Sequence, residues 1–165
     1  MTTVFLRKKL LKMNQTPRAL RNNNPCNIRS GSRWFGLSPK QTDSEFCQFK
    51  DIIYGFRAFF KLSYTYVNKY HIRSVSGFIS RFAPASENNV RAYIDIVASV
   101  LRQHGFAKDT LPAFRNSDWW VMFALAVAYV ETGNESVITS LVLPATGAYR
   151  MVFGFSDKVF PVKVF

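Results

Sequence analysis

The chain has 165 residues, with 22 lysines and arginines against 10 aspartates and glutamates, and 48% of it is apolar. Length and 16 phenylalanines suffice to fill the core of one domain, which excludes a disordered basic tail and any collagen-like or repeat architecture. The formal charge of +12 favours an anionic partner, whether nucleic acid, an anionic membrane or a bacterial wall, and does not choose among them.

Residues 1–20 read as a basic, weakly amphipathic arm in which Pro17 ends any helix begun at Phe5. The arm lacks the apolar stretch and small-residue cleavage site of a secretory signal, so the protein is expected to be made in the cytoplasm and carried out by other means. Residues 21–165 read as a single domain. From Arg21 to Phe49 the chain is rich in Asn, Ser, Gly and Pro with scattered aromatics, the pattern of a loop followed by a short hairpin.

Asp51 to Tyr70 carries Ile52, Phe56, Phe59, Phe60, Tyr66 and Val67 at helical spacing. Val75 to Phe82 is a second short helix stopped by Pro84. Ser86 is expected to cap a third, striped by Val90, Tyr93, Ile94, Val97, Val100 and Leu101 and ended by Gly105. Ser117 is expected to cap Asp118 to Glu131, a helix apolar on every side and therefore central, which Gly133 stops. Its apolar run, Trp119 to Val130, falls short of the roughly 18 residues of a membrane span. Beyond Val137, β-branched residues mixed with Gly147, Gly154 and Pro161 predict irregular or short elements. The expected class is mainly α with a small β-hairpin.

Cys26 and Cys47, with His71 and His104, are too few and too scattered for a metal site, and no cofactor motif is present. The cysteines form either one disulfide or two buried thiols. The histidines, near predicted helix ends, suit surface or capping roles. Most carboxylates sit at helix starts or in polar turns. Glu131 differs: at the C-terminal end of the most apolar helix, both desolvation and the negative helix end favour its protonated form, which a general acid requires. The competing explanation is a carboxylate that emerges into solvent or pairs with an arginine. No base-reading motif is visible, so sequence-specific nucleic-acid binding is not expected.

The segment Arg21-Asn22-Asn23-Asn24-Pro25-Cys26-Asn27-Ile28-Arg29, then Trp34, Gly36 and Leu37, Phe46-Cys47-Gln48-Phe49, Gly55-Phe56-Arg57-Ala58 and Phe82-Ala83-Pro84-Ala85-Ser86-Glu87-Asn88-Asn89, resembles a phage and prophage family marked by R-N-N-N-P-G-N-I-R. Its members are labelled virion structural or lysozyme-like proteins. Cys26 departs from the family glycine, which puts a positive-φ turn at that position in question. A weaker resemblance links Asn23–Arg29, Phe46–Asp51 and Phe82–Glu87, in that order, to bacterial wall glucosaminidases of the lysozyme superfamily. In those enzymes the glutamate-bearing helix precedes these elements. Here Ala124–Gly133 resembles it and follows them, which implies a circularly permuted lysozyme-like domain.

The resemblance implies that Glu131 is the general acid of a glycosidic cleavage. Asp43 or Glu45 in the hairpin would supply a second carboxylate, against the alternative that both are solvated turn residues. Trp34, Phe35, Tyr93 and Tyr129 are candidate sugar-stacking walls, and Asn23, Asn24 and Asn27 candidate partners of N-acetyl groups. The expected function is cleavage of peptidoglycan glycan strands without metal or cofactor, at the cell wall or in the periplasm, by a phage protein or an injected antibacterial effector with an immunity partner. Its rival is a noncatalytic virion or secretion component that binds glycan or protein. A third reading is a nonspecific nucleic-acid binder, whose affinity would fall steeply with salt.

Overall fold

The computed structural model describes residues 15–83 and 89–154. Among the described residues six helices follow in order: α1, a single turn over Arg18–Arg21; α2, Ile52–Asn68; α3, Val75–Phe82; α4, Val90–Gln103; α5, Ser117–Thr132; and α6, Glu135–Phe153. The mainly helical class stands.

Local chemistry explains the boundaries of α2 to α5. Asp51 caps α2 by accepting from the Ile53 N–H, and Ser74 caps α3 by accepting from Gly77. Asn89 caps α4, accepting from Ala92; Ser86 and Pro84, expected to act there, lie outside the described residues. The cap position of α5 is Asn116 rather than Ser117, without a side-chain hydrogen bond. Gly133 ends α5 in the left-handed conformation, at φ 61°, and its N–H returns to the Tyr129 carbonyl.

Helix α5 is the axis of the molecule. Every residue from Trp119 to Ala128 is buried, because α1, α2, α4 and α6 all pack on it. Phe59 of α2 gathers Phe78, Phe82 and Phe123 around it with ring centroids 5.7 to 5.8 Å apart.

Two expectations need correction. The C-terminal region is not irregular: α6 runs for 19 residues with Pro144 inside it. Ile138, Leu141, Val142, Ala145, Ala148 and Tyr149 turn into the core against α2 and α5, and this packing outweighs the weak helix propensity of the β-branched residues. By length and composition α6 could cross a membrane, at a mean hydropathy of 1.2. In the fold one side of it meets the core, and Leu143 and Met151 lie exposed beside Glu135, Ser136, Thr139, Ser140 and Arg150.

The second correction concerns the hairpin. Among the described residues there is no strand, only isolated antiparallel bridges joining Arg29 to Phe46 and Leu37 to Phe49. A few backbone bonds cross between these segments, such as those from the Cys47 N–H to the Ile28 carbonyl and from the Ser38 N–H to the Gln48 carbonyl, and side chains supply the rest. Gln48 Oε1 accepts from the Thr42 N–H, the Gln48 N–H donates to Gln41 Oε1, and Asp43 Oδ1 accepts from the N–H groups of Glu45 and Phe46.

Candidate functional site

The loop before α2 is built on asparagines. Asn24 is fully buried; its Nδ2 donates to the carbonyls of Ile28 and Cys47, and its Oδ1 accepts from the Ile28 N–H. Asn23 and Asn27 take positive φ, each 49°, and Cys26 does not, so the chain turns at asparagines where the resemblance had suggested glycine at position 26. Gly55 of α2 lets this loop approach closely, since a Cβ there would stand 2.3 Å from the Asn23 carbonyl oxygen.

The loop delivers Asn27 to the end of α5. Asn27 Nδ2 donates to Glu131 Oε2 at 2.7 Å, and the Tyr93 hydroxyl, from α4, donates to Glu131 Oε1 at 2.8 Å. Three segments far apart in sequence thus meet at one carboxyl group. Burial raises the proton affinity of Glu131 above that of an ordinary glutamate, and the bonds from Asn27 and Tyr93 and the charge of Arg29 oppose it only in part. Asn27 Oδ1 is buried and has no hydrogen-bond partner among the described residues.

Glu131 stands on the wall of a cleft of about 440 Å³. Asn27, Arg29, Glu45 and Phe46 from the loop region line it, together with Arg18, Phe82 and Ala83. The cleft is polar and open, the kind of surface that suits a hydrated polymer rather than an apolar small molecule.

Arg18 and the two other candidate carboxylates form a cluster at the cleft. Asp43 accepts from Nε and Nη2 of Arg18, both at 2.6 Å, and from Asn22 at 2.8 Å. These bonds, with the two backbone donors, hold its carboxyl well below the usual carboxylate range. Asp43 is therefore committed to the fold and does not line the cleft, contrary to the expectation of a catalytic role. Glu45 does line it, paired to Arg18 Nη1 at 2.6 Å. The basic arm is corrected accordingly: its last residues are part of the domain, with Ala19 buried and Arg18 at the cleft.

The remaining candidates divide. Asn27 meets Glu131, whereas Asn24 and Asn23 serve the loop, the latter donating to the Phe49 carbonyl. Tyr93 is only 3% exposed, so its ring cannot stack on a sugar and its hydroxyl positions Glu131 instead. Trp34 and Phe35 lie on the segment before α2, where Phe35 meets Tyr54 edge-on. Tyr129 faces a separate groove with Ile96, Gln103 and Glu135. None of these three lines the Glu131 cleft. Sequence reasoning missed Arg18, Arg29 and Phe46, and no spacing in the sequence pointed to them. Both cysteines are free and buried: Cys26 Sγ lies 3.7 Å from the Ala124 carbonyl oxygen, and Cys47 Sγ 3.2 Å from that of Arg29. Among the described residues no group of His, Cys, Asp and Glu is arranged to hold a metal ion.

Fold and site together define a small helical protein with a half-buried carboxyl group on the wall of a polar cleft. No family model matches the sequence. The chain is 38% identical over 109 residues to Protein P5 of Pseudoalteromonas phage PM2, an alignment that covers 62% of this chain and 68% of that protein. The chain belongs to the family of that phage protein.

Proposed function

We propose that the protein is a phage-associated enzyme that cleaves the glycan strand of peptidoglycan, with Glu131 as general acid in a permuted lysozyme-like domain. The observation that carries this reading is Glu131 itself: a carboxyl group of raised proton affinity on a cleft wall, with one oxygen bonded to Tyr93 and the other to Asn27. In this role the protonated carboxyl donates to the glycosidic oxygen as the bond to the anomeric carbon breaks. Tyr93 and Asn27 fix the direction of the transfer. Glu45 is the second carboxylate of the cleft among the described residues, and it is paired to Arg18. In this reading Glu45 either stabilises positive charge developing on the sugar or orients water.

A second reading is a noncatalytic virion component, and kinship with a phage protein favours it directly. In that case the Glu131 triad is a satisfied structural element. Release of soluble muropeptides from purified peptidoglycan, followed by mass spectrometry for wild type and Glu131→Gln, separates the two. The enzyme reading expects release that falls at least about a hundredfold in the variant. The product ends then distinguish hydrolysis from formation of an anhydro sugar. A folded wild-type protein that releases nothing overturns the enzyme and leaves the virion component.

A further inference from the structure

Helix α2 carries no acidic residue from Ile52 to Asn68, and the aspartate before it, Asp51, is engaged as its N-cap. Tyr54, Arg57, Lys61 and Tyr64 recur at three- and four-residue intervals and so share one side of the helix. That side is turned outward, with Lys61 and Tyr64 exposed and Tyr54 and Arg57 half-buried. Among the described residues neither Arg57 nor Lys61 makes an ion pair or a side-chain hydrogen bond; both rest on rings instead. The Arg57 guanidinium lies 5.0 Å from the centre of the Phe35 ring, and Lys61 Nζ lies 5.9 Å from that of Tyr64.

Phe35 is 61% exposed, yet its backbone is pinned to α2. The Lys50 N–H donates to the Gly36 carbonyl at 2.9 Å. Gly36, at φ 84°, lets the chain press on Tyr54, since a Cβ there would stand 2.2 Å from Tyr54 Cγ. The Tyr54 ring meets that of Phe35 edge-on, with centroids 5.4 Å apart. The result is a ring platform beside an unpaired guanidinium, with a second ring and an ammonium group about 10 Å further along the helix.

The charged groups of this face only donate hydrogen bonds. A neutral sugar polymer needs acceptors for its hydroxyls as well, whereas a polymer of anionic acceptors and planar rings matches both the cations and the platform. We propose that this side of α2, together with Phe35, binds single-stranded nucleic acid without sequence preference. Phosphates accept from Arg57 and Lys61, and a base stacks on the open side of Phe35. The proposal is independent of the glycan reading, because none of these residues lines the Glu131 cleft.

The test is fluorescence anisotropy with the full chain and two labelled probes, a single DNA strand of about 20 nucleotides and the same strand with abasic sugars throughout. The base-bearing strand should bind about tenfold more tightly at ~0.1 M salt. Phe35→Ala should remove that advantage and Phe35→Trp should keep it. Arg57→Gln combined with Lys61→Gln should weaken both probes and lower the slope of log affinity against log salt by about 1.4. Equal binding of the two probes, or isotherms unmoved by these variants, places the binding on charge elsewhere in the chain and overturns the proposal. Binding of soluble glycan strands that Phe35→Ala abolishes, with the DNA strand left unbound, also overturns it. Should the double variant fail to fold, Lys61→Gln alone and the comparison of the two probes on wild type decide by the same criteria.

Discussion

Among the described residues, the hydrogen bonds to Glu131 come from neutral donors, Asn27 and Tyr93. Burial favours the proton more than those bonds favour the charge. The consequence for stability has a definite sign. With the folded-state value raised, the contribution of Glu131 is complete below the ordinary glutamate range and is lost as pH rises through the folded value. Glu131→Gln, neutral at every pH, escapes that loss, and Asn27 Oδ1, now unpartnered, can accept from the new amide after a flip of the asparagine side chain. The melting temperature of the Gln variant should therefore match wild type near pH ~4 and exceed it near pH ~8. A wild type more stable than the variant at the higher pH would refute the burial argument. On the enzyme reading the same titration governs turnover, and muropeptide release should fall as pH rises through the Glu131 value. Asp43 obeys the opposite sign. Its lowered value contributes stability above the ordinary aspartate range that is lost as the medium is acidified. Asp43→Asn should lower stability by about 1–2 kcal/mol, read from chemical denaturation at neutral pH, the modest size reflecting an arginine that is itself 40% exposed.

Among the elements, the junction between α2 and the asparagine loop is the most sensitive. Gly55→Ala drives a methyl group against the Asn23 carbonyl and Pro25 Cδ, both backbone-anchored. It should cost about 1–3 kcal/mol in denaturant titration. On the enzyme reading it should also reduce muropeptide release by the surviving folded fraction, since the displaced loop carries Asn27. Most helices were legible because their stripes are regular: Phe56, Phe59 and Phe60 of α2 and Val97, Val100 and Leu101 of α4 bury as their spacing predicts. Helix α6 was not, because Val137, Ile138, Thr139, Pro144 and Gly147 all lower helix propensity and only contact with α2 and α5 overrides them. The hairpin was over-read for a related reason. Polar side chains that satisfy the backbone cannot be told in sequence from turn residues joining two strands.

For the whole molecule, Glu131 could be singled out from its place on the most apolar helix, yet its partners could not. Asn27 lies 104 residues away and Tyr93 38 residues away, and only the folded core brings them together. Arg18 escaped notice because its pairing with Asp43 spans 25 residues from what read as a peripheral arm. The site is therefore a property of the packed whole rather than of any segment. The buried thiol of Cys26 offers an independent view of the same packing. Its sulfur sits against the Ala124 carbonyl of the central helix with no exposed surface, and burial suppresses the thiolate that reacts with alkylating agents. A reagent can reach it only when the asparagine loop parts from α5, the event that also dismantles the cleft. The alkylation rate of Cys26 should rise with denaturant along the same curve as global unfolding, so that one native atom serves as a clock for the opening of the entire core.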